Sequence, residues 1–139
     1  RSDLRQALAA NGVALPLVQA GWVDAADLPA YLALADAALF PMEDTVINRT
    51  KCSVKLVDLL SAGVPVAAEA VGQSAEYIEA GASGLLTPPG DDQALAQATA
   101  RLLTDAALAH RLGANAAVRM QTTFAWPQVA AALAGAYAR

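Results

Sequence analysis

The sequence predicts an α/β domain in which a parallel sheet is covered by helices. Two observations carry the prediction: short apolar runs alternate with stretches of helical period, and each run stops at a Pro, a Gly or a polar residue. A third is the length, 139 residues, which suits one core and is short for two. Taken in order, Ser2 is placed to cap a helix through Ala9 or Ala10, which the Asn11-Gly12 pair stops. Leu15 to Trp22 then reads as a short strand. After Asp27, itself a capping residue, Leu28, Tyr31, Leu32 and Ala35 recur at helical spacing, and Ala37-Ala38-Leu39-Phe40 forms an apolar run that Pro41 ends. A helix starting near Asn48 to Thr50 is expected to run to Gly63. Val64 to Ala68 is a buried-strand candidate, Ser74 to Ala80 a short capped helix, and Gly84 to Thr87 a last strand closed by Pro88-Pro89-Gly90. From about residue 91 the chain is helical by pattern, over 91–103, 105–120 and 127–137.

Composition narrows the function classes. The formal net charge of -4 leaves no basic face for nucleic acid. Much of the 56% hydrophobic content is alanine, and no uninterrupted apolar run approaches the roughly 18 residues of a membrane helix, so the chain is read as soluble and without a transmembrane segment. One cysteine excludes an internal disulfide, and with a single histidine a metal site of the usual ligand types is not expected. A cytoplasmic location follows from this cysteine usage, with membrane association left to regions outside the sequence. The chain opens at Arg1 directly into a helix-like run, as a piece of something longer would.

The chemistry concentrates between Asn48 and Pro65. On one continuous helix Lys51, Lys55 and Asp58 lie at i, i+4 and i+7 and share a face, where two lysines repel each other by a few tenths of a kcal/mol. A line of repelling cations suggests an anionic ligand. Cys52, Leu56, Leu59 and Leu60 form an apolar stripe beside it, with Val54 and Val57 on the other side, as suits a helix at the rim of a cleft. No Ser/His/Asp set, metal-ligand spacing or glycine-rich phosphate loop is present. What remains is anion binding: free N–H groups at a helix start and two ammonium groups converging on a phosphate, with Asp58 able to accept two hydroxyl donors at once. The blander reading of Lys51 and Lys55 is a solvated helix face, of Asp58 a surface partner for a lysine, of Trp22 and Cys52 core packing, and of His110 an exposed helix residue. Glu43 and Asp44 read as loop solvation or as acids reaching a ligand, and Glu76 as an acid supporting its own helix start.

The order Gly-Trp-Val, helix, strand ending Phe-Pro, Lys-Leu-Val-Asp-Leu-Leu-Ser-Ala-Gly-Val-Pro-Val, Gly-Gln-Ser-Ala-Glu and Gly-Leu-Leu-Thr-Pro-Pro-Gly-Asp resembles a family. It is similar to the C-terminal, donor-binding domain of group 1 (family 4) retaining glycosyltransferases of the GT-B fold, from Arg1 to about Phe124-Ala-Trp126. The resemblance implies a Rossmann-like half whose first strands, together with a basic pair gripping the diphosphate, precede this sequence. The whole chain would then be one partial nucleotide-sugar-binding domain with a helical extension from about residue 91. The resemblance implies a nucleotide diphosphate sugar as donor substrate, with no cofactor and no metal. It further implies that an N-terminal acceptor domain, or a partner chain, completes the sheet, and that these residues alone do not turn over. In the family two glutamates, eight positions apart, contact donor sugar and ribose; here Thr50 stands at the first position and Asp58 at the second. A Lys-x-x-x-Lys-Leu form of this helix occurs in some members, which Lys51 and Lys55 match, and these lysines become the expected catalytic cations. The backbone at Trp22 and Val23 is implied to face the nucleobase, and the Gly72-Gln73-Ser74 loop to lie near the diphosphate. Two other readings stand beside this: a non-catalytic GT-B-like domain that binds a nucleotide sugar or a protein, and a GT-B sugar-nucleotide epimerase, whose site acids and histidine this sequence lacks.

Overall fold

The structure, a computed structural model, describes residues 10, 12 and 16–138. Its elements are α1 (Leu28–Ala33), β1 (Ala38–Phe40), α2 (Val46–Arg49), α3 (Val54–Ser61), β2 (Val66–Glu69), α4 (Ser74–Tyr77), β3 (Leu85–Thr87), α5 (Asp92–Thr104), α6 (Ala106–Thr122) and α7 (Trp126–Tyr137). The strands pair in parallel in the order β1-β2-β3, with Ala38 opposite Val66 and Ala67 opposite Leu85.

Strand β2 is buried at all four positions, and its side chains divide by the period of two between the faces of the sheet. Val66 and Ala68 join Leu56 and Leu60 of α3, Tyr77, Ile78, and Ala116 and Met120 of α6. Ala67 turns the other way, to Leu95 and Leu102 of α5 and Leu108 and Leu112 of α6. Covering both faces is what the crossovers of a parallel sheet demand, and alanines on the central strand let the helices come close. Each fully buried leucine, such as Leu56, Leu60 or Leu112, contributes about 1.5–3 kcal/mol by leaving water.

Helix α6 also supports a segment with little regular structure. Arg119 donates from Nε to Tyr77 O and from Nη2 to Glu76 O, each at 3.0 Å; Asn115 Nδ2 donates to Ala82 O at 2.9 Å and Arg111 Nη1 to Gly81 O at 3.4 Å. The guanidinium of Arg119 lies 5.4 Å from the Phe124 ring centre, and that ring meets Tyr77 edge-on.

Several expectations need correction. Residues 16–22 are not a strand, because an apolar run alone does not dictate one; the helix expected after Ser2, apart from Ala10, and Leu15 fall outside the described residues. The helix carrying Lys55 begins at Val54, with Ser53 extended at φ -87° and ψ 96°, so Lys51 is not on it and the three charges do not share one helix. Asn48 to Thr50 are the end of α2, not a helix start. Ser74 is the first residue of α4, not its cap, and the helix stops at Tyr77. Cys52 is exposed, not packed in the apolar stripe. Trp22 is 94% exposed, so it is not a core residue. In α7 no residue is buried. No helix among the described residues is long and apolar enough to cross a membrane.

Candidate functional site

In a parallel sheet the segments that leave the strands gather at one end. Here those are residues 41–53 after β1, 70–73 after β2 and 88–91 after β3, and the helices α3 and α5 start from the same end. Two contacts bind the first segment to the second. Gly72, at φ 53°, sits so close to α2 that an added Cβ would be 2.7 Å from Arg49 O and 2.9 Å from Arg49 Cα. Only glycine fits there, on both conformational and steric grounds. Tyr77 Oη lies 3.1 Å from Gln73 Oε1 and 3.3 Å from Cys52 Sγ, which links the residue beside Lys51 to the Gln73 loop. Burial, with the Cys52 thiol adding to it, pushes the Tyr77 phenol up to about 12.

The cations are placed differently from one another. Lys51 Nζ donates to Asn48 Oδ1 at 2.7 Å, and Asn48 Nδ2 in turn donates to Glu43 O at 2.8 Å. The ammonium of Lys55, in the first turn of α3, is exposed and has no hydrogen bond or ion pair with any described residue. Asp58 is half-buried one turn further along and borders a groove between α3 and α1, with Leu28, Pro29, Leu32 and Ser61. Thr50 turns its hydroxyl back on α2, 3.2 Å from Val46 O and 3.1 Å from Ile47 O. The Ser74 hydroxyl is buried, accepts from Val71 N–H at 3.0 Å and lies 2.5 Å from Glu69 O and 2.7 Å from Val71 O. Thr50, Lys51, Gly72, Gln73 and Ser74 are thus assembled around one contact. No described hydrogen bond ties Trp22 or Val23 to that group.

Sequence reasoning missed two features. Arg49 forms a fork with Asp44, Nε to Oδ1 at 2.5 Å and Nη2 to Oδ2 at 2.8 Å, and that guanidinium holds the Asp44 carboxyl below its ordinary value. Glu69, the last residue of β2, is buried and aims its carboxylate between the first and third segments. A carboxylate directly after three apolar residues of a buried strand was the available signal. With Pro41, Glu43, Asp44 and Asp92, Glu69 lines a cleft of about 570 Å³.

Three parallel strands covered by helices are the α/β fold of the GT-B structures that the chain resembles. The chain belongs to the group 1 glycosyl transferases, whose family profile matches residues 1–105. It is similar in structure to the sucrose-phosphate synthase of Thermosynechococcus elongatus, at 26% identity and TM-score 0.74, covering 96% of this chain and 32% of that one. HepE of Anabaena, solved with UDP-glucose, matches at 24% identity and TM-score 0.67 over 95% of this chain and 36% of its own. The C-terminal domain of the group 1 glycosyl transferase LpcC from Francisella tularensis matches at 18% identity and TM-score 0.67 over 88% of this chain and 61% of that one. The last two likenesses speak for the fold alone. Among curated proteins, an exopolysaccharide phosphotransferase of Streptomyces coelicolor is 45% identical over 62 residues, 44% of this chain. The chain spans 7% of the length of that relative and about a third of the sucrose-phosphate synthase.

Proposed function

We propose that this chain is the donor-binding part of a retaining, family 4 glycosyltransferase that moves a sugar from a nucleotide diphosphate sugar onto an acceptor hydroxyl. The observation that carries the reading is the seating of Gly72 on Arg49, which gathers Thr50, Lys51 and the Gln73 loop beside the start of α3 in a group 1 chain. Lys55, uncommitted to any described partner, and Lys51 stabilise charge on the departing diphosphate, and the N–H groups at the start of α3 add to that field. Asp58 holds a ribose hydroxyl pair, the Gly72-Gln73-Ser74 backbone lies against the diphosphate, and the backbone at Trp22 and Val23 meets the base. The donor is a substrate and no cofactor is invoked. An acceptor-binding domain upstream, or a partner chain, completes the sheet beyond β1, and these residues alone do not turn over. The protein works in the cytoplasm, with any membrane attachment supplied by that other region.

One observation favours a second reading, a non-catalytic domain that binds a nucleotide sugar or a protein. Thr50 brings no carboxylate to the donor-sugar position and commits its hydroxyl to its own helix.

Calorimetric titration of the whole protein with UDP, GDP and ADP, each with and without sugar, tests both. UDP is tried first because a structural neighbour was solved with UDP-glucose. Tight binding of one diphosphate, weakened by Lys55→Ala but not by Arg101→Ala on α5, supports the donor reading. Turnover that falls equally in the two variants would reject the role of Lys55, and binding without turnover selects the second reading.

A further inference from the structure

Glu69 is buried, 5% exposed, at the carboxyl end of the central strand, and its carboxylate makes no hydrogen bond or ion pair with Lys51, Lys55 or Asp58. A buried carboxylate is costly unless its oxygens find donors. Glu69 Oε2 accepts from Met42 N–H at 2.6 Å and Oε1 from Gly90 N–H at 2.6 Å. Its own carbonyl lies 2.5 Å from the Ser74 hydroxyl. One residue therefore touches the segment that follows each of the three strands. Met42 opens the stretch leading to Thr50 and Lys51, Ser74 closes the Gly72 loop, and Gly90 ends the Pro88-Pro89 turn.

We propose that Glu69 is a positioning residue of the donor site, whose carboxylate clamps the segments after β1 and β3 to the end of β2 and so sets where Lys51 and the Gly72 loop stand. The proposal rests on the donor reading above. Both oxygens act as acceptors toward backbone donors, and charge shortens and strengthens such bonds. Shape alone does not suffice. Glutamine has the same length but turns an NH₂ toward one of the two N–H groups, so one segment is released. Aspartate keeps the charge on an arm one methylene shorter and does not span both.

The test compares the whole protein with Glu69→Gln and with Leu102→Ala, which trims a buried side chain near Asp36 and Pro65, at the opposite end of the sheet. Two quantities are read: affinity for UDP, GDP and ADP by calorimetry, and amide hydrogen exchange at Met42 and Gly90. Glu69→Gln is expected to weaken diphosphate binding roughly tenfold and to speed exchange at whichever of the two amides the new NH₂ faces, while Leu102→Ala, though less heat-stable, binds within about twofold of the parent. Binding by Glu69→Gln within that same range, or an equal loss in Leu102→Ala, overturns the proposal. If the parent binds none of the three diphosphates, the donor reading falls by itself. Exchange then decides the clamp: faster exchange in Glu69→Gln upholds it, and unchanged protection overturns it. Should Glu69→Gln fail to fold, Glu69→Asp is read by the same two measurements.

Discussion

Gly113 lies where α6 crosses the turn that follows α3, and a Cβ built on it would collide with the Gly63 carbonyl oxygen. The two backbones touch because neither carries a side chain. Gly113→Ala must therefore push α6 away from α3, and it is expected to lower stability by about 1–3 kcal/mol, measured as the shift of the urea midpoint. Two ionisable groups give pH predictions of opposite sense. Asp44 titrates below its ordinary 3.8 because Arg49 holds the charged form, so the loop it anchors is tethered in full above that value. The tether fades as pH falls through the lowered folded pKa. A carboxyl-resolved NMR titration should show this depression and its loss in Arg49→Ala. Tyr77 runs the other way: its neutral form is favoured on folding, so its contribution is complete below pH 10 and is lost as pH rises toward about 12. Phenolate absorbance should report one late-ionising tyrosine, absent in Tyr77→Phe.

At the scale of elements, caps decide more than propensity does. Asp105 serves two helices: its N–H donates to Arg101 O at the end of α5, and its Oδ1 accepts from Leu108 N–H at 2.9 Å at the start of α6. Asp105→Ala is expected to cost about 1 kcal/mol and Asp105→Asn much less, read by thermal unfolding. Such signals made the second half of the chain legible. Asp91, Asp105 and Pro127 mark helix starts in the sequence, and α5, α6 and α7 begin within a residue of them. The three strands were legible too, as apolar runs ended by Pro or a polar residue. What failed was continuity. Residues 16–22 carried the apolar pattern, yet that pattern alone does not make a strand. The break between α2 and α3 was hidden because the lysine spacing fits one helix. The hydroxyl of Thr50 satisfies the carbonyls of Val46 and Ile47 and lets α2 stop. Of the site, the loops were legible and the cross-links Gly72 to Arg49 and Glu69 to Met42 were not, since both join residues more than twenty positions apart.

For the whole molecule, the core ends at Phe124, which packs on Tyr77, and α7 adds no buried residue beyond it. Truncation after Ala125 is expected to leave the unfolding free energy within about 1 kcal/mol of the parent, because exposed side chains contribute little. Denaturant melts of the two lengths check this; a larger loss would mean that α7 packs in solution. The uneven exposure also runs through the sheet. Leu39 of β1 is 54% exposed while its neighbours on β2 are wholly buried, so the first strand is the weaker flank. Hydrogen exchange should be fastest in β1 and slowest in β2.

The grip of α6 on residues 76–82 sets a rule about chain length. Arg111, Asn115 and Arg119 stand four residues apart, and successive turns of a helix repeat every 5.4 Å, so their donors form a ruler of fixed pitch. Two of the carbonyls they meet, those of Gly81 and Ala82, belong to an irregular stretch of the kind that elsewhere absorbs insertions and deletions freely. Adding or removing a single residue between Ile78 and Ser83 would put every carbonyl beyond it out of phase with that ruler. Relatives that keep this helix should differ in the spelling of the connection and agree in its length.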